Sequence, residues 1–468
     1  MLCALARPAP ALAQEGLTLV FDGSETSTAA EEGLGLDALV ELALERNLQV
    51  RVSRAQIDEA RALYRQAAAQ AYPRLDAQMV FGGPTAEART AVQNDISTIT
   101  EASLGGDLDF GQLGVTVRGN AQILQPLYTF GKIENTKDAA DHLVRAAGHR
   151  EEATKAEVVL NIHRAYWAHQ LVHAFVRSLD EGQETLAGVL ERVEALLESD
   201  SMQVTENDRL RLTYALATLR VRRAEAETGL ERANLALRIL TGSPLDAAIE
   251  VSERELWEAL PDEPPPVEST VDEARASRAE LLALREVVDA QEAFAEFRRS
   301  NLYPDFFFGG LMDFAYTSNA SDQTNPFIFD PYNVLDFAAG VGLRWQFDVF
   351  SKLAEIEMAE AQLSVRETQE ALATQAVELE VREIHAQIEG GFDQLDGLER
   401  ANRAARGWLT STVLAYDIGT GDARELIDAF LAWAASEAEL STVRYDTIVN
   451  LSELARARGR LVALRTAE

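Results

Sequence analysis

Cysteine is all but absent, with Cys3 the single example in 468 residues. No disulfide can close within one chain, and neither a thiolate metal site nor a CxxC redox pair is available. Long apolar runs are also missing. None approaches the roughly 20 residues a membrane-spanning helix needs, so any passage through a membrane must be made by strands. Basic residues are scarce: 43 Lys and Arg face 76 Asp and Glu, a formal charge of -33 that repels nucleic acid phosphates and anionic headgroups. Catalytic signatures are lacking as well, with no HExxH, Walker A or GxGxxG element in a strand-to-helix setting. The nearest approach to a metal pair is His169 with His173, one helical turn apart. His169, however, shares the apolar stripe of Ile162, Ala165 and Val172, so a packed histidine is expected. The sequence gives no reason to expect catalysis, a cofactor or a bound metal.

Proline is absent over two long tracts, between Pro126 and Pro244 and after Pro331. Because proline costs about 3 kcal/mol inside a helix, its absence permits very long helices. Both tracts are rich in Ala, Leu, Glu, Arg and Gln, which favour them. In the first, Val158, Ile162, Ala165, Val172 and Val176 form one heptad-like stripe beside a second of Leu160, Trp167, Leu171 and Phe175. In the other, Val365, Leu372, Leu379 and Ala386 recur every seven residues beside Val377, Val381, Ile384 and Ile388. Two stripes predict neighbours on two sides of each helix. Turn chemistry interrupts each tract once, at Glu198 to Asp208 and at Tyr416 to Asp422, with Thr205 (paired to Asp208) and Thr420 as expected N-caps of the returning helices. A continuous helix over 132–201 would reach roughly 100 Å.

Ahead of each tract the texture changes. Leu75, Ala77, Met79 and Phe81 alternate with Asp76, Gln78 and Val80. Val115, Val117, Gly119, Ala121 and Ile123 alternate with Thr116, Arg118, Asn120 and Gln122. Phe306, Phe308, Met312 and Phe314 are offset from Asp305, Gly309 and Asp313, and Val341, Leu343, Trp345 and Phe347 interleave with Gly342, Arg344, Gln346 and Asp348. Period-two alternation with one apolar face predicts four strands long enough to cross a membrane when tilted. Polar segments at 83–113 and 317–336 are expected to be long outer loops. Residues 261–270, with Pro264, Pro265 and Pro266, are expected to form an extended linker. Residues 1–13 resemble the remnant of a signal peptide, with Ala11 and Ala13 framing a cleavage point.

The chain repeats itself once. "AQIDEARALYRQAAAQAYPRLDAQ" at 55–78 corresponds to "REVVDAQEAFAEFRRSNLYPDFFFGG" at 285–310, each a helix stopped by a Tyr-Pro pair before a strand. "ILQPLYTFGK", ending at Lys132, corresponds to "LRWQFDVFSK", ending at Lys352. The expected organisation is a first repeat over 14–260, the linker, and a second repeat over 271–468, each ordered as helix, strand, loop, strand, long helix, tip and returning helix. Four strands cannot close a transmembrane barrel, whose minimum is about eight, so oligomerisation is implied; a dimer would supply eight strands and a trimer twelve.

With these motifs in this order, the chain resembles the TolC family of outer-membrane efflux proteins from about Leu36 to Leu464. The "LRILTG" stretch at Leu237 to Gly242 and "YDIGTGDARELIDA" at Tyr416 to Ala429 contribute to the likeness. The resemblance implies a mixed α/β membrane protein in the outer membrane. It would be a homotrimer whose twelve-stranded barrel, four strands per chain, continues as a long α-helical tunnel in the periplasm. It also implies an outer-membrane channel component of a tripartite efflux or type I secretion system, with a periplasmic adaptor and an inner-membrane pump as partners. By the family's tip pattern, Tyr416 matches a tyrosine, Gly419 a glycine, and Glu425 with Asp428 the acidic pair ringing the periplasmic entrance. Gly421 stands where an arginine is usual, with Arg424 as the nearby substitute. Ser201 stands at the first tip where relatives often carry glycine; Ser201, Thr205, Asp208, Tyr416, Gly419, Thr420, Gly421 and Arg424 are the expected tip and adaptor-contact residues. The alternative from another class is a coiled-coil scaffold of the cell envelope with no pore, which leaves four amphipathic strands unexplained.

Overall fold

The computed structural model describes residues 33–88, 108–199, 204–252, 254, 256, 260, 266–320, 327, 330, 332–418 and 420–460. The leader expected at residues 1–13 lies outside them. The chain runs α1 (Leu36–Arg46), α2 (Leu48–Ala69), β1 (Arg74–Ala88), β2 (Leu108–Tyr128), α3 (Lys132–Glu198) and α4 (Glu206–Leu240). It then repeats as α5 (Val267–Ser277), α6 (Ala279–Ser300), β3 (Asp305–Thr317), β4 (Val334–Arg344), α7 (Val349–Asp417) and α8 (Ala423–Ala457). Helix lengths recur almost unchanged between the halves: 11, 22, 67 and 35 residues, then 11, 22, 69 and 35. At 1.5 Å per residue α3 and α7 each reach about 100 Å.

Four expectations need correction. The single helix foreseen ahead of each strand pair is two, broken where ψ swings to 132° at Asn47 and 122° at Arg278. Neither is a proline or glycine; the one local signal is Asn47 itself, a favoured N-cap for α2. Asn47 satisfies the freed groups, accepting from the Gln49 amide at 2.8 Å and donating to the Leu240 carbonyl at the end of α4, also at 2.8 Å. The extended linker gives way to helix at Val267, capped by Pro266; residues 261–265 lie outside the described residues. The loops are shorter than expected, since β1 continues to Ala88, β2 begins at Leu108 and β4 at Val334. Finally β4 stops at Arg344, so Trp345 to Asp348 alternate in polarity without being strand. The Trp345 indole there donates to the Leu302 carbonyl at 3.0 Å, tying this segment to the end of α6.

The returning helices end alike. α4 stops at Gly242 (φ 67°) and α8 at Gly459 (φ 69°), left-handed positions that favour glycine. A Cβ at either would lie 2.8 Å from a carbonyl oxygen closing the short preceding helix, that of Arg46 or of Ser277. The chain can double back this closely only without a side chain.

The core lies along the helices. Near mid-length, Val158, Ile162, Leu160, Tyr166 and Trp167 of α3 bury against Leu39, Val40 and Val50 of α1 and α2. Val271 of α5 and Leu281 of α6 cover Val377, Val381, Ile384 and Ile388 of α7. Each fully buried side chain of this size contributes about 1.5–3 kcal/mol. The two-stripe reading thus resolves differently in the two tracts. Both stripes of α3 around residues 158–167 find neighbours within the chain, whereas on α7 the stripe of Val365, Leu372 and Leu379 remains 53%, 65% and 67% exposed.

The strands form one antiparallel sheet, β1-β2-β3-β4, with β1 and β4 at its edges.

Candidate functional site

Two regions carry the features singled out in the sequence, the sheet and the hairpin tips. In the sheet, register places opposite residues on one face. Leu75 pairs with Ile123, Ala77 with Ala121 and Met79 with Gly119; Ala121 pairs with Met312, which pairs with Phe337. Phe306 and Phe308 pair with Leu343 and Val341 on that same face. It is apolar from edge to edge and uncovered, with Leu75, Phe81, Phe337 and Val341 each at least 70% exposed. The other face carries a row Gln78, Asn120, Asp313, Asp336, flanked by Asp76 with Gln122 on one side and Arg118 on the other. One side therefore suits hydrocarbon and the other water. Arg344 lies on the polar side, its guanidinium 3.9 Å from Asp305. Gln346, expected on the same face, lies past the strand end and has no place in the register.

Where strands meet helices, Lys132 and Lys352 explain their repetition. Lys132 Nζ donates to the Tyr303 carbonyl at 2.9 Å and to Asp305 at 2.6 Å, and Lys352 Nζ donates to the Asn301 and Gln346 carbonyls at 2.7 Å each. Both lysines bind the turn that ends α6, and Phe130 stacks on Tyr303 of the Tyr-Pro pair with centroids 5.2 Å apart. These links were visible in the sequence only as a recurrent lysine.

At the far end the two hairpin tips lie side by side. Leu186, Val189 and Val193 of α3 and Leu212 and Leu216 of α4 pack with Leu426, Phe430 and Trp433 of α8. A cleft of about 580 Å³ lies between the tips, lined by Arg192, Leu196, Asp208, Tyr416 and Asp422 among others. Thr205 opens α4 as expected: its amide donates to Asp208 at 2.9 Å and its hydroxyl donates to the same oxygen at 2.7 Å. Thr420 does not cap α8. Its hydroxyl reaches back to the Ala415 carbonyl at 3.2 Å, closing α7, and Asp422 is the N-cap, accepting from the Arg424 amide at 3.0 Å. Tyr416 is the last turn of α7 rather than loop. Burial raises its phenol above the ordinary value, and the charges of Asp208 and Asp422 push the same way.

Gly421 occupies a turn that leaves no room for the arginine that the resemblance led us to expect there. Its amide donates to the Ala415 carbonyl at 2.9 Å, and a Cβ would lie 2.6 Å from the Tyr416 nitrogen. No side chain fits. Arg424 stands one helical turn before Asp428, with 3.9 Å between charged atoms, so it pairs within its own helix. Glu425 and Asp428 share the exposed face of α8, opposite buried Leu426 and Phe430. Ser201 and Gly419 lie outside the described residues. His169 is buried as expected, its ring stacked on that of His173 with centroids 6.3 Å apart.

Comparison with known proteins gives this architecture a family. Residues 39–243 and 270–460 match the sequence profile described as outer membrane efflux protein. Outer membrane protein TolC of Vibrio cholerae is 23% identical over 328 residues, covering 69% of this chain and 72% of that protein. Among solved structures, CusC superposes with a TM-score of 0.73 at 18% identity, covering 93% of this chain and 95% of its own. The outer membrane channel CmeC of Campylobacter jejuni gives 0.72 at 15% identity, covering 91% and 86%. The chain belongs to the outer membrane efflux protein family, outer-membrane channels that extend into the periplasm and are not enzymes.

Proposed function

We propose that three copies of this chain close a twelve-stranded barrel continued by a tunnel of long helices. Solutes delivered from a pump would cross the outer membrane through it passively. One observation carries the reading: a four-stranded sheet with two open edges and a fully uncovered apolar face is not stable in water or in lipid. Edge pairing between copies satisfies both edges at once, and the exposed stripe of Val365, Leu372 and Leu379 on α7 supplies a matching helical contact. Closure turns the Gln78, Asn120, Asp313 and Asp336 row inward as a wet, acidic lining. At the other end, Glu425 and Asp428 would be brought into rings around the periplasmic entrance. The tips, with Ser201, Thr205, Asp208, Tyr416, Gly419, Thr420, Gly421 and Arg424, are the proposed contact for a periplasmic adaptor protein that couples the channel to an inner-membrane pump. Both tripartite efflux and type I secretion fit this arrangement.

Disulfide trapping tests the assembly. In a Cys3→Ser background, one cysteine is placed on β1 (at Asp76, Ala77 or Gln78) and one on β4 (at Ala338, Ala339 or Gly340). Within one chain these strands are three spacings of about 4.8 Å apart, too far for a bridge. Oxidation of the membrane-inserted protein is expected to give a ladder that stops at three chains. A ladder that stops at two, or monomers at every pairing, would refute closure by a trimer.

A further inference from the structure

We propose that His142, Glu286 and Asp289 form a binding site for a divalent transition-metal ion such as Zn2+, joining α3 to α6 in the part of the molecule next to the sheet. The three side chains come from two helices of different repeats, and one ligand atom from each lies within 4.8 Å of the others. His142 Nδ1 is 2.8 Å from Glu286 Oε2 and 3.7 Å from Asp289 Oδ2. Bonds of about 2.0–2.1 Å to imidazole nitrogen and carboxylate oxygen in a tetrahedron set the ligand atoms roughly 3.3 Å apart, so small rotations of the side chains suffice. One imidazole with two carboxylates suits zinc and its neighbours among the transition metals, and the fourth position would fall to water.

The contacts of His142 within the chain are incompatible with one another. Its Nδ1 faces both the carboxylate of Glu286 and, at 3.0 Å, Nη2 of Arg145. A protonated Nδ1 satisfies the carboxylate but opposes the guanidinium donor. An unprotonated one does the reverse. A metal ion resolves the conflict, since it takes the nitrogen lone pair and the carboxylate together. The guanidinium of Arg145, also 3.4 Å from Glu286, is the cation now nearest the three ligands, and its Nη2 is already 3.3 Å from Asp141 one turn earlier. Metal entry would leave it on Asp141. The site would thus be a competition between a tethered cation and a free one.

The internal repeat supplies a comparison. Counting from Lys132 and Lys352, His142 corresponds to Gln362; counting from the Tyr-Pro pairs, Glu286 and Asp289 correspond to Ala55 and Asp58. Only one of the three ligands recurs, so the fold itself does not require this constellation.

The test uses untagged, full-length protein purified in detergent and titrated calorimetrically with ZnCl2, with MgCl2 as the oxygen-preferring control. Zn2+ is expected to bind with one ion per chain, to raise the unfolding temperature, and to show one imidazole in its first shell by X-ray absorption. His142→Asn and Glu286→Gln should each weaken binding by at least about 10-fold, the size of effect seen even for indirect ligand partners. Arg145→Gln, which removes the competing cation, should strengthen it. His169→Gln is expected to change nothing. Binding that survives His142→Asn, that is lost with His169→Gln, or that is absent from both the natural chain and Arg145→Gln would overturn the proposal.

Discussion

At the scale of single residues, one contribution to the chain's behaviour in acid comes from a histidine the function does not use. His163 of α3 is largely buried, with its Nδ1 3.0 Å from the Ser452 hydroxyl, which donates to the Ile448 carbonyl. Burial pushes its pKa down to about 4, with Asp37 pulling weakly the other way. The unfolded chain takes up this proton near pH 6.5, before the folded one does. The stabilising contribution is therefore complete above pH 6.5 and is lost as pH falls toward 4, by about 3 kcal/mol over that window. His163→Gln removes the titration, so the gap between its unfolding temperature and that of the natural protein should narrow or reverse between pH 7 and pH 4.5. A constant gap would mean that His163 titrates normally. Residue chemistry of another kind governs the tip. Gly421 was legible as a departure from the arginine the resemblance implied, but the close approach there, the backbone of Tyr416 2.6 Å from where a Cβ would sit, belongs to the folded turn.

Elements were the most legible level, because periodicity is a property of local sequence. Period-two alternation located all four strands and assigned Phe308 and Leu343 to the apolar face, where the register puts them. It failed from Trp345 to Asp348, where alternation persists but the indole is held by the Leu302 carbonyl instead of a strand partner. Of the helix breaks, the one at Asn47 carried a local signal, its N-cap to Gln49, whereas the one at Arg278 is held by a distant side chain. Arg278, nearly buried, reaches Glu380 of α7 at 2.5 Å, a partner 102 residues away. The two sheet faces predict opposite responses to one substitution. Phe308→Arg puts a cation on the lipid side at a cost of roughly 2–4 kcal/mol near the bilayer midplane and should reduce the heat-stable membrane-inserted form. Gln122→Arg, in the polar row beside Asp76, should insert normally. Equal insertion of both variants would remove the face assignment.

At the scale of the whole molecule, the proposed trimer would make charge decide what passes the entrance. Glu425 and Asp428 project from one face of α8, and Arg424 offsets part of that charge through Asp428. Threefold crowding of these carboxylates would attract cations and hold polyvalent ones. Glu425→Gln combined with Asp428→Asn also leaves Arg424 without its partner, so single channels in planar bilayers should become less cation-selective and less sensitive to block by trivalent cations added from the periplasmic side. Unchanged selectivity and block would place the carboxylates away from the constriction.

By itself the sequence determined the duplication, the four amphipathic strands, a first long helix of about 100 Å with a second long tract after it, and the positions of both tips. Each of these follows from periodicity, proline exclusion and turn chemistry, which act over a few residues. Tertiary structure decided which stripes are filled by the chain's own helices and which stay open on α7, where α5 breaks from α6, and why no side chain fits at 421. It also brought His142 together with Glu286 and Asp289 across 144 residues of sequence. Such pairings depend on how two long helices are set against each other, and no local pattern records that registration.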